Sequence, residues 1–401
     1  MESGFKAISS GTATSPQGFL AGAVLSGISR QKELDLAILC SQKPCTAAGV
    51  FTTNVIKAVP LILSQKHLQD RSAQAVVVNS GCANACTGDA GMADAEETAT
   101  LVAEKLSISP ADVLVASTGV IGVPLPMERV RAGIPGITLT SEGGHELAKA
   151  MMTTDTSAKE IAVFVEAKPD GFTIGGVAKG AGMIHPDMAT MLCFLATDAA
   201  VDAGFLQSAL QKAVDASFNM ISIDGDTSPS DMVVLLANGL ARSEAIDDRN
   251  GERFQKALDE VCLYLAKCIA RDGEGATKLI EVTVEGALTE AEARLAARTI
   301  VSSPLVKAAM HGNDPNWGRI VAALGRSGAK VTETKLGVYL NDVCVMKQGG
   351  PVPFDKQKVS RSLAGKEVSL MVHLNLGGGK AAAWGCDLSE EYVTINSAYT
   401  T

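Results

Sequence analysis

The sequence predicts a layered fold of sheets and helices, α/β through most of its length and α+β towards the C-terminus. Three observations carry this: short apolar β-rich runs, amphipathic stretches of helical period between them, and turn signals at their junctions. The apolar runs at 75–79 and 113–117 predict buried strands, and the periodic stretch 93–106 predicts an amphipathic helix. A further strand is expected at 161–166 and another at 191–197, the latter too short and β-rich for a helix. Helices follow at 203–216, capped by Asp202, and at 254–270, stopped by Asp272 and Gly273. From Lys278 the pattern changes to a strand through Val284, a long helix at 289–300, and strands at 335–340, 368–374 and 392–395. The expected division is 1–190 as an N-terminal α/β domain, 191–278 as the second part of the same core, and 279–401 as a smaller C-terminal α+β domain.

A chain of 401 residues can bury a sizeable core. Its 44 acidic and 35 basic residues, with 4% aromatics, argue against nucleic acid or an anionic membrane as partner. The start of the chain lacks the pattern of a secretory signal, and no run approaches the length of a membrane span, so a cytoplasmic location is expected. Nine cysteines without C-x-x-C spacing read as free thiols. Cys82 and Cys86 have no histidine beside them to complete a zinc site, and packing is their expected role. No metal is expected. The run Gly377-Gly-Gly-Lys-Ala lacks the Ser or Thr of a phosphate loop and predicts a strand-to-strand turn. Asp224-Gly-Asp-Thr-Ser-Pro-Ser-Asp231 lacks the glycine and closing glutamate of a calcium loop and predicts a hydrogen-bonded turn. The five histidines show no ligand spacing, and none is given a role.

The most informative segment runs from Gly175 to Asp198. Gly175, Gly176, Gly180 and Gly182 precede Ala189 and Thr190, and a buried strand follows. Glycines allow close backbone approach, so the segment can present a strained peptide bond, although it can equally be a loose loop. A threonine hydroxyl held against the preceding carbonyl can attack it and free itself as a new N-terminus. Its α-amine, with a reference pKa of about 7.7–8.0, then serves as base for its own hydroxyl.

The segment Lys179-Gly-Ala-Gly-Met-Ile-His-Pro-Asp-Met-Ala-Thr190 resembles the processing segment of the ornithine acetyltransferase family, the bifunctional glutamate N-acetyltransferases of arginine biosynthesis. The resemblance recurs in order along nearly the whole chain. It is carried by Gly18-Phe-Leu-Ala-Gly22, Ala48-Gly-Val-Phe-Thr-Thr53, Val78-Asn-Ser-Gly81, Ala83-Asn-Ala-Cys-Thr-Gly88, Ser117-Thr-Gly-Val-Ile-Gly122 and Met152-Thr-Thr-Asp-Thr156. It continues through Ser222-Ile-Asp-Gly-Asp-Thr-Ser228, Asp272-Gly-Glu-Gly-Ala-Thr-Lys278, Asp314-Pro-Asn-Trp-Gly-Arg319 and the terminal Tyr392-Val-Thr-Ile-Asn-Ser-Ala-Tyr-Thr-Thr401. Cys82 departs from the pattern, where a polar Asn or Gln is expected; this touches a local hydrogen bond.

The resemblance implies a core of the ornithine acetyltransferase/DmpA-like type, cut between Ala189 and Thr190 into an α chain of residues 1–189 and a β chain, assembled as two copies of each. It implies that Thr190 carries an acetyl group from N2-acetyl-L-ornithine to L-glutamate, with no cofactor and with acetyl-CoA as an alternative acetyl donor. Thr118 and Gly119 are then the oxyanion hole, and Thr153, Lys179, Thr190, Glu274, Asn396 and Thr401 the substrate contacts. Lys179 offers an ammonium for a carboxylate, and Glu274 a carboxylate for an ammonium. The competing readings are an N-terminal-nucleophile aminopeptidase or amidase, which gives the acyl group to water, and a binding protein without catalysis.

Overall fold

A computed structural model describes residues 4–29, 33–185 and 191–398. By internal packing the chain forms two compact units. The first comprises residues 1–180, 187–219 and 227–266; the second comprises 181–186, 220–226 and 267–401.

Among the described residues the first unit holds a nine-stranded mixed sheet. Its order is Phe5–Ala7, Lys159–Val165, Phe172–Lys179, Leu192–Thr197, Met232–Ala237, Leu36–Phe51, Ser72–Asn79 and Val113–Ser117, with Phe19–Val24 paired to Leu36–Phe51. Leu192–Thr197 lies parallel to Met232–Ala237 and antiparallel to Phe172–Lys179, and Ser72–Asn79 lies parallel to Val113–Ser117. Alternate residues of Val113–Ser117 enter opposite cores. Leu114 and Ala116 join Val76, Phe194 and Val234, covered by Leu147, Ala148 and Ala150 of helix Gly144–Ala150. Val113 and Val115 join Ala75 and Val77 under the helices Gly88–Leu106 and Met127–Gly136. Burial on both faces explains why these strands read as continuous apolar runs.

Helix Ala203–Ala216 begins at Asp202, whose Oδ1 accepts from the Gly204 and Phe205 amides at 2.9 and 3.0 Å. Helix Glu252–Arg271 buries Phe254, Leu258, Val261, Leu265 and Ile269, a stripe at the spacing of an amphipathic helix.

Among its described residues the second unit holds a seven-stranded sheet, ordered Gly350–Pro351, Val343–Lys347, Gly337–Leu340, Glu367–His373, Leu279–Ala287, Gly379–Cys386 and Ile221–Ser222. Helix Glu290–Val301 packs on Leu279–Ala287 and Gly379–Cys386 and is capped by Thr289, whose Oγ1 accepts from the Glu292 amide at 3.2 Å. The turn at Gly377 joins the strands Glu367–His373 and Gly379–Cys386, as its glycines predict.

Three expectations need correction. Residues 392–395 are not a strand but lie in helix Glu390–Ala398. The β-branched Val393, Thr394 and Ile395 favour a strand, but Val393 is exposed and pairs with no sheet. Glu390 and Glu391 fill the first helical turn, where acidic residues are favoured. Gly175 and Gly176 lie not in a loop but in the buried strand Phe172–Lys179. They are needed for close packing: a Cβ on Gly175 would stand 2.1 Å from the Thr12 carbonyl oxygen, and one on Gly176 2.5 Å from Leu195. Cys86 is exposed rather than packed, while Cys82 is buried with its thiol 3.2 Å from the Val123 carbonyl oxygen. Among the described residues, no helix is long and apolar enough to cross a membrane.

Candidate active site

Ala189, Thr190 and Thr401 lie outside the described residues. The remaining predicted residues fall into two groups, one in each unit.

In the first unit, Thr118 and Gly119 directly follow the strand Val113–Ser117. The strand end is clasped to its neighbour. Ser117 Oγ donates to Asn79 Oδ1 at 2.6 Å, the Thr118 amide donates to the Asn79 carbonyl at 3.0 Å, and Asn79 Nδ2 donates to the Cys82 carbonyl at 2.9 Å. Gly119 has φ +127°, and a Cβ there would stand 2.4 Å from the Gly81 carbonyl carbon. Only glycine fits both the dihedral and the space. The Gly119 N–H makes no hydrogen bond to another described residue.

Lys179 ends the strand Phe172–Lys179, and its buried ammonium donates to Thr118 Oγ1 at 3.4 Å. Occupying a lone pair of that oxygen leaves the Thr118 O–H to donate elsewhere. Thr153 stands nearby through Asp155, which organises this group. One Asp155 carboxylate oxygen accepts from Lys159 Nζ and the Gly180 amide, both at 2.7 Å, and the other from the Thr153 amide at 3.1 Å. Burial pushes this carboxyl up, but the Lys179 and Lys159 ammoniums and the bonds from Lys159 and Gly180 outweigh it and bring its pKa down to about 2. Lys179 thus links Thr118, with Gly119 next in the chain, to the Asp155 carboxylate that also holds the Thr153 amide, a carboxylate to which sequence reasoning assigned no role. Its signal was its place in Met152-Thr-Thr-Asp-Thr156; its partners lie at positions no spacing rule connects.

In the second unit, Glu274 is buried and accepts from Asn396 Nδ2 at 2.7 Å. Its amide donates to the Ala181 carbonyl at 2.8 Å, and its carboxyl lies against Gly182, where a Cβ would stand 2.4 Å from Glu274 Oε1. Gly182 therefore makes room for a carboxylate. Helix Glu390–Ala398 is fixed beside this turn by Ser389 Oγ, which donates to the Gly275 carbonyl at 2.6 Å. Asp224 accepts from the Met183 and Ile184 amides at 2.6 and 2.9 Å, and within the expected turn its Oδ1 also accepts from the Asp226 amide at 3.3 Å. The Tyr392 phenol is held strongly protonated, by burial first and then by the Asp224 and Glu274 carboxylates. His185, given no role from sequence, has Nδ1 3.0 Å from Ser222 Oγ.

The chemistry is that of a donor pair at a strand end, a buried ammonium beside it, and a buried carboxylate held by an amide. The ArgJ family profile matches residues 20–401. The chain belongs to the ArgJ family. It is 52% identical over 405 residues to the arginine biosynthesis bifunctional protein ArgJ of Dehalococcoides mccartyi, covering 100% of both chains. The ArgJ protein of Symbiobacterium thermophilum is 52% identical over 397 residues, 98% of this chain and 99% of that one. The crystal structure of arginine biosynthesis bifunctional protein ArgJ from Bacillus halodurans is 45% identical and matches 51% of this chain and 98% of its own, with a TM-score of 0.50. The ArgJ relatives and this chain thus share the mixed α/β class predicted from the pattern of apolar runs.

Proposed function

We propose that the chain cuts itself between Ala189 and Thr190 and then transfers the acetyl group of N2-acetyl-L-ornithine to L-glutamate, as an acetyltransferase of arginine biosynthesis. The observation that carries this reading is the Thr118–Gly119 donor pair with the Lys179 ammonium on the Thr118 oxygen, in a chain of the ArgJ family. In the first reaction the Thr190 hydroxyl attacks the Ala189 carbonyl carbon, the C–N bond breaks as the acyl group moves to oxygen, and water hydrolyses the ester. The freed α-amine then accepts the hydroxyl proton as Thr190 attacks the acetyl carbonyl. The Thr118 hydroxyl and Gly119 amide receive the developing oxyanion, a contribution of about 3–4 kcal/mol per donor. Ornithine leaves with a proton on its amine, and the amine of glutamate attacks the acetyl-threonine to give N-acetyl-L-glutamate. Lys179 and Thr153 take substrate carboxylate and polar groups, and Glu274, held by Asn396, takes an ammonium; Thr401 completes the substrate contacts.

The reading needs no cofactor, and acetyl-CoA serves as a second acetyl donor to the same threonine. Two copies of each fragment form the cytoplasmic enzyme. The Bacillus halodurans chain, matching about half of this one, has the extent that a central cut leaves. Intact mass of the wild type and Thr190→Ala tests the first step: the wild type separates into fragments ending at Ala189 and beginning at Thr190, and the variant stays whole. Ornithine released from acetylornithine at the same rate with and without glutamate would instead assign the chain to the N-terminal-nucleophile amidases.

A further inference from the structure

The motif Asp314-Pro-Asn-Trp-Gly-Arg319 has no role in the acetyl transfer proposed above, yet its residues 314–318 form one wall of a cavity of about 890 Å³ within the second unit. This volume suits a small-molecule ligand. The opposite wall comes from Phe354 and helix Lys356–Leu363. Trp317 and Phe354 supply aromatic surface, while Lys356 and Arg361 supply two cations, both exposed and neither paired with a carboxylate among the described residues. The acid in the lining, Asp314, is engaged by Asn316 Nδ2 at 3.1 Å.

We propose that this cavity binds a phosphorylated nucleotide, with the base on the Trp317 face and the phosphates between Lys356 and Arg361. An aromatic plane beside two cations fits a ligand that carries both a flat ring and several negative charges. A simple sugar phosphate would leave the aromatic wall unused, and an uncharged aromatic would leave the cations unused. The cavity wall is built on a fixed frame. Lys278 Nζ donates to the Met310 carbonyl at 2.6 Å and to Asn313 Oδ1, and Asp387 accepts from His311 Nδ1 at 2.7 Å and Thr277 Oγ1 at 2.6 Å. The same segment, four residues earlier, carries Glu274.

A free nucleotide and the nucleotide end of a larger acyl carrier share this chemistry, and the test separates them. The wild-type protein is titrated with ADP while heat and tryptophan emission are followed. Saturable binding is expected, weakened about tenfold or more in the Lys356→Ala/Arg361→Ala double variant and to a similar degree when adenosine replaces ADP. Both cations are exposed, so the double variant should keep its fold, checked by circular dichroism. Coenzyme A displacing ADP would support the carrier as source; bound ADP unmoved by coenzyme A would support a free nucleotide. Absence of saturable heat and emission change up to millimolar ADP, or unchanged affinity in the folded double variant, overturns the proposal.

Discussion

At the scale of single residues, Gly119 and Asp155 carry sharp consequences. Gly119→Ala adds a Cβ where the Gly81 backbone already stands and moves the amide that the mechanism aims at the oxyanion. A fall of about 10²–10³-fold in kcat is expected, as for loss of one oxyanion donor, with acetyl transfer from acetylornithine as the assay. Asp155→Asn leaves Lys159 buried without its counter-charge, and urea unfolding should show a loss of about 3 kcal/mol or more. The pH dependence has a definite sign. A carboxyl lowered from an ordinary 3.8 to about 2 contributes stability that is present above the ordinary value and disappears as pH falls through the folded one. Denaturation midpoints followed from pH 5 downwards should therefore drop for the wild type more steeply than for Asp155→Asn. Gly119 was singled out only through the family resemblance, because a glycine after a strand otherwise reads as a simple turn. Asp155 was not singled out, because its importance lies in Lys179 and Gly180, which folding brings to it from the end of the strand Phe172–Lys179.

Among the elements, those with period and cap were legible. Helix Ala203–Ala216 shows both its apolar stripe and its Asp202 cap in the chain, and Asp202→Ala should cost about 1 kcal/mol of stability in thermal or urea unfolding. The strand Val113–Ser117 matches its apolar run to the residue because both faces are buried. Helix Glu390–Ala398 was misread because four β-branched or aromatic residues outweighed the two glutamates that begin it. The helix places Asn396 one turn beyond Tyr392, and from there its amide reaches Glu274. Deletion of residues 396–401 removes this amide and Thr401 together, and is expected to raise KM for acetylornithine while leaving the self-cut intact on a denaturing gel. Full activity of the truncated chain would remove the terminus from the site.

On the scale of the whole molecule, the two units are assembled from segments distant in the chain, and no local pattern reports that. Residues 181–186 and 220–226 pack with the C-terminal half of the chain, although their flanking strands Phe172–Lys179 and Met232–Ala237 belong to the other unit. Periodicity identifies a strand but not the sheet that receives it. The glycines before Thr190 could therefore be recognised as unusual, while the partners they make room for could not. The same arrangement bears on the outcome of the cut proposed at Ala189. The stretch just upstream is stitched into the second unit: Ala181 by the Glu274 amide, Met183 and Ile184 by Asp224, Ile184 again by the Ile223 amide, and His185 by Ser222. Scission then creates a chain end without creating a separable piece. The fragment of residues 1–189 remains a structural subunit of its own former continuation, so the two should elute together in native chromatography and part only in denaturant. The proposed cut exchanges one peptide bond for one free amine and leaves the hydrogen bonds of residues 181–185 untouched.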